Sequence, residues 1–161
     1  MTADEVLSLF PGSKDDPDLK ARLMRPPEQF GTSQFVIHPE KYESKDSFAG
    51  VGQIVFSLLD GRVFSIYVGY NGPQFSHVDQ FVEKISQQFS LPPASQWDAF
   101  TGMDTTLKTL KCDEFHVEAF IGGKGGSLNH LTVKDLVAEK KLNERSEKAD
   151  KQAQGSPTPK Q

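Results

Sequence analysis

The chain has little of what a catalytic or stapled protein needs. Of its 161 residues, one is cysteine and one is tryptophan. A single Cys112 excludes an internal disulfide framework and cysteine-rich zinc sites. It is compatible with a reducing compartment without requiring one. No apolar run approaches the roughly 18 residues of a membrane span, and the N-terminus lacks the pattern of a signal peptide. Nor is there an excess of positive charge. The formal net charge is -4, so the clustered cations that bind nucleic acid or anionic membranes are missing.

What is present suits one well-buried domain. The composition is 36% hydrophobic, 25% charged and 10% aromatic, ordinary for a globular protein. Twelve phenylalanines can fill a core without needing hydrogen-bond partners. Residues 1–133 carry 11 Lys and Arg against 17 Asp and Glu, a net of -6, and residues 134–161 carry 7 against 5, a net of +2. The body is acidic and the tail mildly basic.

The opening MTADEVLSLFPG reads as a helix start. Thr2 and Glu5 have capping-box spacing, Met1 and Val6 occupy the staple positions, and Pro11-Gly12 ends the element. The stretch up to Pro27 is polar and reads as loop with at most one helical turn. Strands begin at Gln34–Ile37. In QIVFSLLDGRVFSIYVGY a three-residue loop, Leu59-Asp60-Gly61, places Ile54, Phe56, Leu58, Phe64, Ile66 and Val68 on one face. Val55, Ser57, Val63, Ser65 and Tyr67 share the other. Ser76, with Asp79 at N3, opens a second helix whose Val78, Phe81, Val82, Ile85 and Phe89 form one apolar face. Leu107–Cys112 and Phe115–Ile121 form a strand region kinked at Asp113-Glu114. GGKGG at 122–126 is a hairpin tip, and Leu128–Val133 returns.

The expected fold is therefore α+β. An antiparallel sheet of about five strands carries two helices on one face, in the order helix, three strands, helix, two strands. Residues 1–135 form the domain. Residues 136–161 form a charged helical to disordered tail, in which Glu144/Lys148 and Glu147/Lys151 are supporting i,i+4 pairs.

Candidate chemistry is sparse. His116 and His130 sit on neighbouring strands, and with Glu118 they are the candidate metal ligands; paired surface histidines are the plainer reading, and no metal or other cofactor is expected. Cys112 lies beside Asp113 and Glu114, whose charges disfavour a thiolate nucleophile. The glycine-rich tip leads into a strand, whereas a phosphate loop leads into a helix. No enzyme is expected. Tyr67, Tyr70, Phe75 and Trp97 cluster with Phe100 at strand ends and loops, which suits either closure of the core edge or a protein contact. These readings give a non-enzymatic protein–protein interaction or accessory module, working through Tyr67, Tyr70, Phe75 and Trp97 with a protein partner. No nucleic acid and no membrane span are expected. The alternative is a small-molecule or metal-binding domain, or a cryptic enzyme, with a pocket between the second helix and the sheet near His116, Glu118 and His130.

Met1, Thr2, Glu5, Val6, Leu9 and the Pro11-Gly12 turn, with the LLDGRVFSI hairpin, resemble the start motif and hairpin of the SmpA/OmlA type of outer-membrane assembly lipoprotein domain. β-Lactamase inhibitor proteins have a related fold. The resemblance spans about half the chain and departs from the pattern in a long loop after the first helix, the 76–91 helix and the charged tail. It implies a non-enzymatic binding module in the bacterial cell envelope, favoured here over a cytoplasmic protein, and it carries over no site residues.

Overall fold

The computed structural model describes residues 1–100, 102–103, 105–122 and 128–155. The glycine-rich tip expected at 122–126 lies almost wholly outside these residues. The described chain runs α1 (Ala3–Leu7), α2 (Pro17–Leu23), β1 (Thr32–Ile37), β2 (Val51–Leu59), β3 (Arg62–Tyr70), α3 (Val78–Phe89), β4 (Asp98–Ala99), β5 (Leu107–Lys111), β6 (Phe115–Phe120), β7 (Asn129–Asp135) and α4 (Leu136–Gly155), with short 3₁₀ turns between. The strands form one antiparallel sheet in the order β1-β2-β3-β7-β6-β5-β4. The α+β antiparallel class stands, with more elements than the five strands and two helices expected.

Each addition has a local cause. Asp113-Glu114, expected as a kink, is a chain reversal: Cys112 N–H donates to the Phe115 carbonyl at 2.8 Å, and β5 and β6 pair as a hairpin. α2 was hidden in a polar stretch, yet it has its own start signal. Asp16 Oδ1 accepts from the Asp18 and Leu19 amides at 2.8 and 3.2 Å, and Pro17 takes the first helical position. α1 starts as expected, with Thr2 and Glu5 in a reciprocal capping box. α3 begins one residue later than expected. His77 is its N-cap, its Nδ1 accepting from the Asp79 amide at 3.2 Å, while Ser76 bonds to Gln80 instead.

The β2–β3 hairpin corrects the expected loop. Asp60 (φ 51°) and Gly61 (φ 79°) both adopt positive φ, the signature of a two-residue type I′ turn. A bulge follows, because Leu58 pairs with Val63 but Ser57 pairs with Ser65. The bulge restores the alternation that the longer loop was invoked to provide. Ile54, Phe56, Leu58, Ile66 and Val68 therefore still face the core, and Val63 joins them. Phe64, expected inside, is the extra residue of the bulge and belongs to neither core cluster.

The two core clusters lie on one face of the sheet, while Leu59, buried next to the core-facing Leu58, belongs to neither. One cluster joins α1 and α2 to β1 and β2 through Val6, Leu7, Phe10, Leu19, Phe35, Ile37 and Phe56. The other joins α3 to β5, β6 and β7 through Val78, Phe81, Val82, Ile85, Leu110, Val117 and Leu131. Burying each of these large side chains contributes about 1.5–3 kcal/mol. The two halves meet at the sheet centre, where β3 and β7 pair over six rungs from Ser65↔Lys134 to Tyr70↔Asn129.

The C-terminal segment expected as a solvated tail is tied down along part of its length. Asp135 caps α4 through its Oδ1, and Lys141 and Arg145 reach the Asp60 carboxylate at the β2–β3 turn. Arg145 also donates to the Phe30 carbonyl at 2.6 Å. No helix among the described residues is long and apolar enough to cross a membrane.

Candidate functional site

The register divides the four aromatic residues proposed as a contact edge. Trp97 is 3% exposed, packs beneath α3, and donates its Nε1–H to the Pro92 carbonyl at 3.0 Å. It is a core residue with its polar handle satisfied. Tyr67 faces the opposite side of the sheet, tilted against His130 at a centroid distance of 4.7 Å. Phe120 flanks the same imidazole at 4.9 Å. Burial among these rings holds the His130 pKa below its ordinary value, against the opposing pull of Glu118. Tyr70 and Phe75 lie on the helical side, both against Phe81 at 5.5 and 5.6 Å.

The three candidate metal ligands do not converge as a set: His116 Nδ1 lies 3.8 Å from Glu118 Oε1, but His130 stands apart from His116. His116 pairs with Lys134 on β7, four residues along from His130, a strand distance of about 13 Å. Glu118 lies between them, opposite Thr132, and accepts from Lys134 Nζ at 3.3 Å. His116 and Glu118 alternate with the buried Val117 and Ala119, and His130 with the buried Asn129 and Leu131, so all three face away from α3. The pocket expected between the second helix and the sheet near these residues is thus corrected: none of the three enters it. Among the described residues, no group of three or more His, Cys, Asp or Glu side chains could hold a metal ion. Cys112 is exposed.

There is a concavity on the helical side, with a different lining. A central antiparallel pair is ordinarily the driest part of a sheet. Here Ile66, Val68, Tyr70 and Val133 on β3 and β7 are only partly buried, because α1 and α2 cover one flank, α3 covers the other, and the middle is left open. The resulting cleft has a volume of about 690 Å³, within the usual range for small-molecule sites. Val68, Tyr70, Leu131 and Val133 form its floor. Phe48, Ala49, Gly50 and Val51 form one wall, and the Phe81, Lys84, Ile85, Gln88 and Phe89 side of α3 forms the other. The Asn71 amide closes one end by donating to the Gly50 carbonyl at 2.8 Å. At the other end Cys112 and Phe115 join the lining.

Two polar residues and an exposed apolar rim mark this cleft. Asn129 is 2% exposed and donates its amide nitrogen to the Pro73 carbonyl at 2.9 Å. Its buried Oδ1 has no partner among the described residues, an arrangement uncommon for a buried amide. Lys84 is exposed on the α3 wall and makes no ion pair among the described residues, and no Asp or Glu shares the lining. Two large apolar side chains at the cleft stay open to solvent, Phe89 at 50% and Phe115 at 45%.

Tyr70, Phe75 and Cys112 are the residues singled out in the sequence that reach this site. Phe48, Lys84, Gln88, Phe115 and Asn129 were not singled out. The available signal was the placement of Phe89 and Phe115 at element ends, where an aromatic can close a core or line a cleft. Comparison with protein-family models, with curated proteins and with solved structures finds no match to this chain.

Proposed function

We propose that this protein is a non-catalytic binding module whose ligand occupies the apolar cleft over the β3–β7 seam. The observation that carries this reading is the open centre of the sheet. Val68 and Val133 gain about 25 cal/mol for each Å² of apolar surface removed from water, yet no element among the described residues covers them fully. A concave apolar slot with a few polar groups at its margin is the usual form of a small-molecule site. Residues that could form a nucleophile–base pair are not found together there, since the lone Cys112 has no histidine beside it in the lining.

The test fills the slot from within. Val68→Phe projects a ring into the cleft from its floor. Binding of an apolar fluorophore to the unmodified protein, with loss of that binding in Val68→Phe at an unchanged melting temperature, supports the cleft. Equal binding by both proteins removes it as the site.

A second reading rests on the other face of the sheet. The Tyr67–His130–Phe120 stack lies on a surface that neither α1, α2 nor α3 covers, and aromatic residues of this kind are enriched where proteins meet. The envelope-module reading draws its support from the same two elements as the resemblance, namely the capped helix α1 and the Asp60-Gly61 hairpin. Loss of a crosslinked partner in Tyr67→Ala, with Trp97 left intact, would support this face.

A further inference from the structure

Resting on the cleft reading, we infer that the ligand is a free single-chain amphiphile with an anionic head, its chain over the β3–β7 seam and its head at Lys84. The two parts of the site differ in chemistry. The floor, Val68, Tyr70, Leu131 and Val133, is aliphatic apart from the Tyr70 ring and offers a chain chiefly apolar contact. The α3 wall offers Lys84, with Gln88 one turn later on the same helix face.

Charge selects the sign of the head. Among the described residues, Lys84 is the only Lys, Arg, Asp or Glu in the cleft lining, and no carboxylate pairs with it. An ammonium headgroup would meet like charge with no acid to offset it. A carboxylate or phosphate head would gain an ion pair that the protein leaves unmade, together with an amide donor from Gln88. The head stays at the exposed margin, so its charge keeps most of its water and avoids the cost of burying an ion.

Charge also selects the source. Residues 1–133 carry a net of -6, which repels an anionic bilayer surface. A single dissolved anion entering the slot meets Lys84 locally, within a Debye length of about 8 Å at physiological salt. The occupant is therefore a monomeric amphiphile taken from solution.

Calorimetric titration of the full chain with octanoate, decanoate and dodecanoate, and with alkyltrimethylammonium ions of the same chain lengths, tests the assignment. Burial of one methylene contributes about 0.8 kcal/mol, so the affinity for carboxylates is expected to rise about fourfold per carbon. Carboxylates should bind at least fivefold more tightly than the matching cations at low salt. Lys84→Gln should abolish that preference while keeping the chain-length slope, and Lys84→Arg should restore it. Equal binding of cations and carboxylates overturns the anionic head but leaves the cleft reading standing. Absence of any chain-length slope overturns both. Flotation with phosphatidylglycerol vesicles is expected to leave the protein unbound; co-flotation that Lys84→Gln abolishes would overturn the free ligand in favour of a bilayer headgroup.

Discussion

Asp60 and Arg145, 85 residues apart in the chain, meet as a two-pronged ion pair. Arg145 Nη1 donates to Oδ1 at 2.9 Å and Nη2 to Oδ2 at 2.7 Å. Lys141 adds a third bond to Oδ2 at 2.7 Å. The same arginine holds the Phe30 carbonyl, next to Gly31, where an added Cβ would lie 2.6 Å from Asp60 Oδ1. Phe30, Gly31, Asp60 and Gly61 all have positive φ, so α4 is fastened to two tight turns at once.

Removing the carboxylate should loosen this fastening without unfolding the domain. Asp60→Asn keeps a residue that tolerates left-handed backbone but cannot pair with the two cations. Amide hydrogen exchange across residues 136–150 should quicken severalfold, while exchange in β2 and β6 stays unchanged. Unaltered protection of α4 would show that its other contacts, the Asp135 cap and the Arg145–Phe30 bond among them, suffice to hold it.

The fastening should also resist acid. The hydrogen bonds from Arg145, then those from Lys141, hold the Asp60 pKa well below the usual carboxylate range. The native state therefore binds this proton less readily than the unfolded chain does. The contribution is present above the unfolded pKa of about 3.9 and is lost as pH falls through the lower native value. α4 protection should persist to pH 4 in the unmodified protein, and Asp60→Asn should erase any further acid dependence of it.

His130 predicts a dependence of the same sign in a higher window. Burial lowers its pKa, so the unfolded chain takes up the proton first. Its contribution is complete above the unfolded pKa of about 6.5 and declines as pH falls below that value. Urea midpoints measured at pH 7.5 and 5.5 should differ less in His130→Gln than in the unmodified protein.

Trp97 should behave as a core residue. Trp97→Ala leaves a cavity beneath α3 and removes one of the two donors to the Pro92 carbonyl, which keeps its bond from Ser86 Oγ at 2.7 Å. A loss of about 3–5 kcal/mol is expected from urea unfolding followed by circular dichroism. A loss below about 1 kcal/mol would place the indole outside the packed core.

Cys112 supplies a reporter for the cleft. It is the sole cysteine, it is exposed, and it lines one end of the slot. Saturating dodecanoate should slow its alkylation by an apolar maleimide severalfold, and Val68→Phe should remove the protection. Equal rates with and without ligand would place the ligand away from this end.

Local pattern made much of the fold legible. The capping residues of α1, the period of α3 and the alternation in β2 each encode their element within a few positions. α2 was missed because its start signal, Asp16-Pro17, precedes only Leu19 as a buried residue, too short a stripe to stand out. The hairpin register was misjudged because a bulge and a longer loop both restore the same alternation. The site was less legible still. The outward direction of His116, Glu118 and His130 follows from register, which hydrophobic pattern specifies more weakly when both faces carry apolar residues. The cleft is a gap between two helical layers, and a gap has no residues of its own to read.

The division of the core into two clusters also has a mechanical meaning. The halves are sewn together chiefly by the six rungs between β3 and β7, while the cleft lies directly over that seam. An occupant of the cleft would touch both flanks and act as a keystone, so that a single molecule decides whether the halves shear apart separately or resist as one body.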